Sequence, residues 1–377
     1  MVANANGSRA RGVATPGWLR REWSLPVGYA TTLAFLAFGA SWLGDLAHPA
    51  WLALMFAWLF AAILACAFSL VRHADELAVR LGEPFGTLVL TLAMSGMEMM
   101  MISAVMLAGH GSATLARDTM LAIMMIVLNG LVGACLLAGG LRYHEQSYNL
   151  YSANSFLAVI VPLAVLGLVL PGFTVTTPGP TLSVKQSIFV IVMSLGLYGV
   201  FLGIQTLRHR DYFVAPDEKQ SAHAAHGGST IGHVVLLLAN GIPIVLLAKQ
   251  IAKPIDYATG VLGAPAAFGG LIVAVLILAP ESMAAVRAAL ANQLQRSINV
   301  ALGTALSTIS LTIPAVLAIG FATGQTIVLG LDNVDIVLLL LTLVVSMLTF
   351  SLSRTNVLLG AVHVLLFLAY LMLTVEK

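Results

Sequence analysis

The chain has 377 residues, 59% of them hydrophobic and only 9% charged, against about 25% charged in a soluble domain. A surface that apolar is solvated by lipid, which excludes a water-soluble globular protein. The net charge of +2 and the scattered cations exclude a nucleic-acid binder, and Cys66 and Cys135, each inside an apolar run, supply neither a disulfide framework nor a metal-ligand spacing.

Residues 1–26, rich in Arg, Ser, Gly and Pro, read as a cytoplasmic tail. The apolar run after them is as long as a full span, longer than the roughly 7–15-residue core of a cleaved signal. A transmembrane helix needs about 20 apolar residues. Stretches of that kind fall at 27–45, 50–71, 84–108, 118–140, 153–171, 185–206, 231–250, 263–286, 297–320, 333–351 and 355–374. The expected class is therefore an all-α polytopic membrane protein of about eleven transmembrane helices. Turn signals such as His48-Pro49, Pro171-Gly172 and Pro178-Gly179-Pro180 separate the spans. With the N-terminus inside, most of the 18 Lys and Arg lie in cytoplasmic segments, as the positive-inside rule requires. The C-terminus is then periplasmic. Lys249 and Lys253 are the exceptions that weaken this topology around span 231–250. The longest polar connection, 207–230, reads as a cytoplasmic linker between two halves. His223, His226 and His233 lie in or beside it. Metal sensing is conceivable there, but without a tight ligand spacing a solvated linker is the plainer reading.

The halves match one another. Residues 85–100 read FGTLVLTLAMSGMEMM and residues 268–283 read FGGLIVAVLILAPESM. An offset of 183 places Phe85 on Phe268, Gly86 on Gly269, Leu88 on Leu271, Glu98 on Glu281 and Met100 on Met283. The expected organisation is an extra first helix at 27–45, a five-helix repeat over 50–206 and a second over 231–374. Five is odd, so the second repeat enters from the opposite side, the inverted arrangement of many secondary transporters.

Among the acidic residues only Glu98 and Glu281 lie deep inside spans. A mid-bilayer carboxylate costs at least about 2.5 kcal/mol and marks ion or proton pathways; the bland alternative is a protonated glutamate tying helices together. Two facing carboxylates form a hard oxygen site for Ca²⁺, Mg²⁺ or Na⁺. Without a cation, burial and mutual repulsion favour the protonated form. Competition of cation and protons for one site is the minimum machinery of antiport. Gly96 and Pro280 are expected to loosen the helices at the glutamates and free carbonyls. Neutral support is expected from Ser95, Ser282, Asn129, Thr304, Ser307 and Thr308, with Asn129 foremost because a buried amide needs partners. The methionines around Glu98 (Met94, Met97, Met99, Met100, Met101 and Met106) point all around a helix and read as flexible packing. His363, alone on an apolar span, reads as a hydrogen-bonded core residue.

Four segments carry a family resemblance: EPFGTLVLTLAMSGMEMMMISAVMLAG at 83–109, ARDTMLAIMMIVLNGLVG at 116–133, GGLRYHEQSYNLYSAN at 139–154 and APESMAAVRAALANQLQRSINVALGTALSTISLTIP at 279–314. On them the chain resembles a calcium/proton exchanger of the cation/calcium exchanger superfamily, in its bacterial calcium (sodium, potassium)/proton antiporter branch. The resemblance implies a transported ion held between Glu98 and Glu281, with polar support near Asn129, Thr304 and Ser307. The Gly-Asn pair that many such exchangers carry before each glutamate is absent, and Ser307 stands where glutamine is common. The expected function is thus export of Ca²⁺ against H⁺, with Na⁺ or K⁺ as the alternative cargo. The expected setting is a bacterial inner membrane, with no cofactor. A channel fits a two-carboxylate repeat less well, and the motifs of a membrane-embedded hydrolase are missing.

Overall fold

A computed structural model describes residues 21–82, 85–107, 113–208, 210–213, 229–265 and 267–376. Its long helices are α1 Ser24–Trp42, α2 Pro49–Leu81, α3 Phe85–Leu107, α4 Leu115–Tyr143, α5 Leu150–Gly172, α6 Val184–Arg208, α7 Thr230–Gly260, α8 Ala267–Leu290, α9 Leu294–Thr323, α10 Asn333–Thr349 and α11 Val357–Glu376. Ten are long and apolar enough to cross a membrane. The other, α10, has 17 residues and reaches about 26 Å at 1.5 Å per residue, close to the roughly 30 Å of hydrocarbon. The protein is an all-α polytopic membrane protein. Helices suit lipid because each satisfies its own backbone polar groups. Among the described residues a short ladder, β1 Gln146–Ser147 against β2 Arg354–Thr355, fastens the turn after α4 to the turn before α11.

Local sequence sets several helix starts. Asn149 accepts from the Tyr151 and Ser152 amides at the head of α5, and Ser183 with Gln186 forms a capping box on α6. Two helices outrun their expected spans. α2 has 33 residues and α7 has 31, about 50 and 46 Å. The surplus of α2 carries Arg72, His73, Asp75, Glu76 and Arg80; that of α7 carries Lys253, with Lys249 one turn before it, both exposed.

α7 lies along α2, and α1 sits outside this pair and touches both. α8 packs on α4 and α3 on α9; α11 packs on α4 and α6 on α9. Small residues allow the closest approaches. A Cβ on Gly270 would stand 2.7 Å from the Asp118–Thr119 backbone, and one on Gly360 would stand 2.6 Å from the Leu137 nitrogen. Cys66 and Cys135 are free and buried.

The backbone departs from the expectation at the glutamates. α3 runs helically through Gly96 and α8 through Pro280. A proline removes one amide bond and crowds the carbonyl a turn before it, yet the helix runs unbroken from Ala267 to Leu290. Irregular turns appear instead on the following helices, as π segments at Ile126–Leu131 in α4 and Thr308–Thr312 in α9. Further π segments occupy Val165–Val169 and Ile204–Arg208. Of the expected linker, 214–228 with His223 and His226 lies outside the described residues, as do 1–20 of the N-terminal tail. His233 is not solvated: it lies in α7 at 6% exposure, against His73.

Candidate ion-binding site

Glu98 lies in the middle of α3 and Glu281 in the middle of α8, at 2% and 9% exposure. Both reach the same neighbour, α9. Thr304 Oγ1 donates to Glu281 Oε2 at 2.5 Å. One turn on, Thr308 Oγ1 donates to Glu98 Oε2 at 2.8 Å, and a turn beyond that Thr312 Oγ1 donates to Glu98 Oε1 at 2.8 Å. Threonines four residues apart share one face of a helix, about 6 Å apart along the axis. The two carboxylates are thus pinned on successive turns of one rod.

This local arrangement has a physical source. The Thr304 hydroxyl also lies 2.9 Å from the Val300 carbonyl, so its single proton is divided between main chain and carboxylate. Thr308 and Thr312 bound the π segment of α9. An inserted residue there disturbs the i to i−4 ladder, in the stretch where the hydroxyls turn to Glu98. Ser95, one turn before Glu98, and Ser310, between the two threonines, are buried with side-chain oxygens that have no partner among the described residues.

The expected supporting residues divide. Thr304 and Thr308 bond the glutamates directly. Ser307 donates to the Thr304 carbonyl at 3.1 Å and steadies that turn. Ser95 is in place beside Glu98 but unbonded, and Ser282 is half-buried on the turn after Glu281. Asn129 bonds elsewhere. It lies in the π segment of α4, fully buried, and its Nδ2 donates to Thr342 Oγ1 at 2.7 Å. Its Oδ1 faces His363 Nδ1 at 3.2 Å, and His363 Nε2 faces Thr349 Oγ1 at 2.9 Å. Since an amide oxygen only accepts, Nδ1 of His363 carries the proton and Thr349 donates to Nε2. His363 is a bonded core residue, as its isolation on an apolar helix implies. Thr312 escaped the sequence reading. Its signal was present in the four-residue spacing of Thr304, Thr308 and Thr312, which only a partner carboxylate makes meaningful.

Met97 and Met101 are fully buried while Met100 is 43% exposed, so the methionines surround α3 and do not line one face. Among the described residues no three His, Cys, Asp or Glu side chains converge as a metal set. The acidic groups hung on α9 are the carboxylates of Glu98 and Glu281; an ion held between them would need neutral oxygens to complete its shell. Hard oxygen donors of this kind suit alkali and alkaline-earth cations.

The chain matches the sodium/calcium exchanger protein family over residues 51–207 and 232–375. It is 42% identical over 310 residues to the putative ionic transporter y4hA of Sinorhizobium fredii, covering 81% of this chain and 84% of that protein. It is also 42% identical over 321 residues to the sodium-potassium/proton antiporter ChaA of Escherichia coli, with 82% and 86% covered. Among solved structures, the Ca²⁺/H⁺ antiporter protein YfkE superposes with a TM-score of 0.72 at 17% identity, over 94% of this chain and 99% of that one. The shared fold thus extends beyond the reach of sequence likeness.

Proposed function

Because the chain belongs to the sodium/calcium exchanger protein family and is a cation/proton antiporter, we propose that Glu98 and Glu281 form the one site that holds either a cation or protons. The observation that carries this reading is the hanging of both buried carboxylates on successive turns of α9. A cation between them neutralises both; protons do the same in its absence. Ser95 and Ser310, with unpartnered oxygens beside Glu98 and its threonines, are further neutral ligands.

Ca²⁺ is the proposed cargo, since two carboxylates match one divalent ion in charge and oxygen chemistry. Na⁺ or K⁺ is the second reading, favoured by the likeness to the sodium-potassium/proton antiporter of Escherichia coli and by the missing Gly-Asn pairs. The proposed frame is the extra helix α1 followed by two inverted five-helix repeats, α2–α6 and α7–α11, operating by alternating access. Two observations support it. The packing is reciprocal, α8 on α4 matching α3 on α9 and α11 on α4 matching α6 on α9. The helix after each glutamate also carries its π segment at an equivalent place, and an offset of 183 sets Asn129 opposite Thr312. The proposed setting is a bacterial inner membrane, N-terminus inside and C-terminus outside.

Proteoliposomes with an acid interior and a pH-sensitive dye test the cargo. Ca²⁺, Na⁺, K⁺ and Mg²⁺ are added separately. Collapse of the gradient by Ca²⁺ supports the first reading, and collapse by Na⁺ or K⁺ alone the second. Failure of every cation removes the two-glutamate site as an exchange site.

A further inference from the structure

A second cluster of buried titratable groups lies where α1 meets α2 and α7. Glu22, His73 and His233 are 7%, 1% and 6% exposed, and they form one chain. His73 Nε2 lies 3.0 Å from Glu22 Oε2, and His73 Nδ1 lies 3.1 Å from His233 Nδ1. Glu22 is also paired to the Arg72 guanidinium. The cluster contributes nothing to the threonine ladder on α9, and it fastens the one helix outside the reciprocal packing. Arg72 Nη1 donates to the Arg21 carbonyl at 2.8 Å, and Tyr29 Oη donates to the Ala239 carbonyl at 3.1 Å.

The hydrogen bonds count protons. A carboxylate only accepts, so His73 Nε2 carries a hydrogen. With both rings neutral, His73 Nδ1 accepts from His233 Nδ1–H. One added proton is accommodated: His73 becomes an imidazolium against Glu22 and donates Nδ1–H to a His233 that now accepts. A second added proton leaves two N–H groups and two positive charges facing across 3.1 Å. Besides Glu22, the charges acting on the two rings are Arg21 and Glu76, paired at 3.2 Å, and Arg72 and Arg80 on α2; Asp75 on α2 faces Arg296, and Lys249, Lys253 and Asp256 lie 16 or more residues along α7 from His233. Among the described residues they leave no spare anion for that second charge.

We propose that Glu22, His73 and His233 form a proton-binding site separate from the exchange site. It holds α1 docked on α2 and α7 while it carries at most one added proton, and it releases α1 when it takes a second. Because α2 opens the first proposed repeat and α7 the second, the site reports proton concentration on the face where α1 begins to the contact between the halves. The structural part stands without the exchange reading; the coupling to transport rests on it.

The test compares the purified full chain with His73→Gln, His233→Gln and Glu98→Gln. Gln preserves size and one hydrogen-bonding end, so the variants fold at neutral pH. Melting temperature is recorded from about pH 8 to pH 5, the range in which histidine charges. The wild type is expected to lose stability in a step on acidification. The step flattens in both His variants and persists in Glu98→Gln. Parallel curves for wild type and His variants overturn the proposal. Exchange is then measured against pH: the His variants are expected to keep exchange in acid where the wild type falls off. An unchanged pH profile overturns the coupling. Loss of exchange in Glu98→Gln beside an intact step separates a failure of this site from a failure of the exchange site.

Discussion

Replacing Thr312 by valine removes one hydroxyl and keeps the shape. In the structure that hydroxyl is one of two donors to Glu98, at 2.8 Å on Oε1, while Thr308 holds Oε2. A hydrogen bond to a charged group contributes about 1.5–3 kcal/mol, a factor of roughly 10–150 in an equilibrium constant. The bond favours the ionised carboxylate, the form that binds a cation, over the protonated form. Thr312→Val should therefore weaken apparent cation affinity by about tenfold or more at fixed pH. Because cation and proton compete, the activity profile should move toward higher pH, where protons are scarcer. Thr312→Ser, which keeps the donor, should stay close to wild type. The assay is cation-driven gradient collapse in proteoliposomes, with the cation titrated at several pH values. Wild-type affinity in Thr312→Val, with Glu98→Gln inactive in the same preparation, would refute the reasoning: the Thr312 bond would then be absent from the state that binds the ion.

Other outcomes follow from the same geometry. Glu98→Gln and Glu281→Gln should each abolish exchange while inserting normally, since each removes a charge that one cation needs; a double-glutamine protein that still exchanges sinks the site. Asn129→Ala removes the acceptor facing His363 Nδ1 and the amide that donates to Thr342, at about 1–3 kcal/mol; a melting temperature equal to wild type in detergent would contradict that network. Gly360→Leu drives a side chain into the Leu137 backbone and should separate α11 from α4, giving aggregated protein on size-exclusion chromatography; a monodisperse peak would mean the crossing is looser than drawn. An alkaline phosphatase fused at the C-terminus should be active outside the cell; activity only from a C-terminal cytoplasmic fluorescent reporter would reverse the topology.

The sequence disclosed the fold because bilayer thickness and backbone satisfaction leave few options for an apolar chain. Every expected span corresponds to a helix, and Glu98 and Glu281 stood out as carboxylates far from any loop. What escaped notice was relational. Thr312 is an ordinary membrane threonine until Glu98 on another helix reaches it. Gly96 and Pro280 promised broken backbone by their own chemistry, yet tertiary packing kept those helices intact, and the π segments arose on other helices, two of them around Gly130 and Gly167. Asn129 was expected beside the ion because a buried amide needs partners, but periodicity could not say that Thr342 and His363 would supply them. His233 looked like part of a polar linker because its neighbour in space, His73, lies 160 residues away in the chain.

The threonine ladder on α9 has an evolutionary corollary. In the proposed site the two acids set how much positive charge one turnover can carry, while the hydroxyls and carbonyls around them add oxygen without adding charge. Substituting a hydroxyl retunes ion size and hydration preference and leaves the charge ledger untouched. Coupling ratio and ion identity are then separate variables on one scaffold, so descendants of a single exchanger can diverge toward alkali or alkaline-earth ions by small steps, none of which forfeits the proton as the counter-substrate.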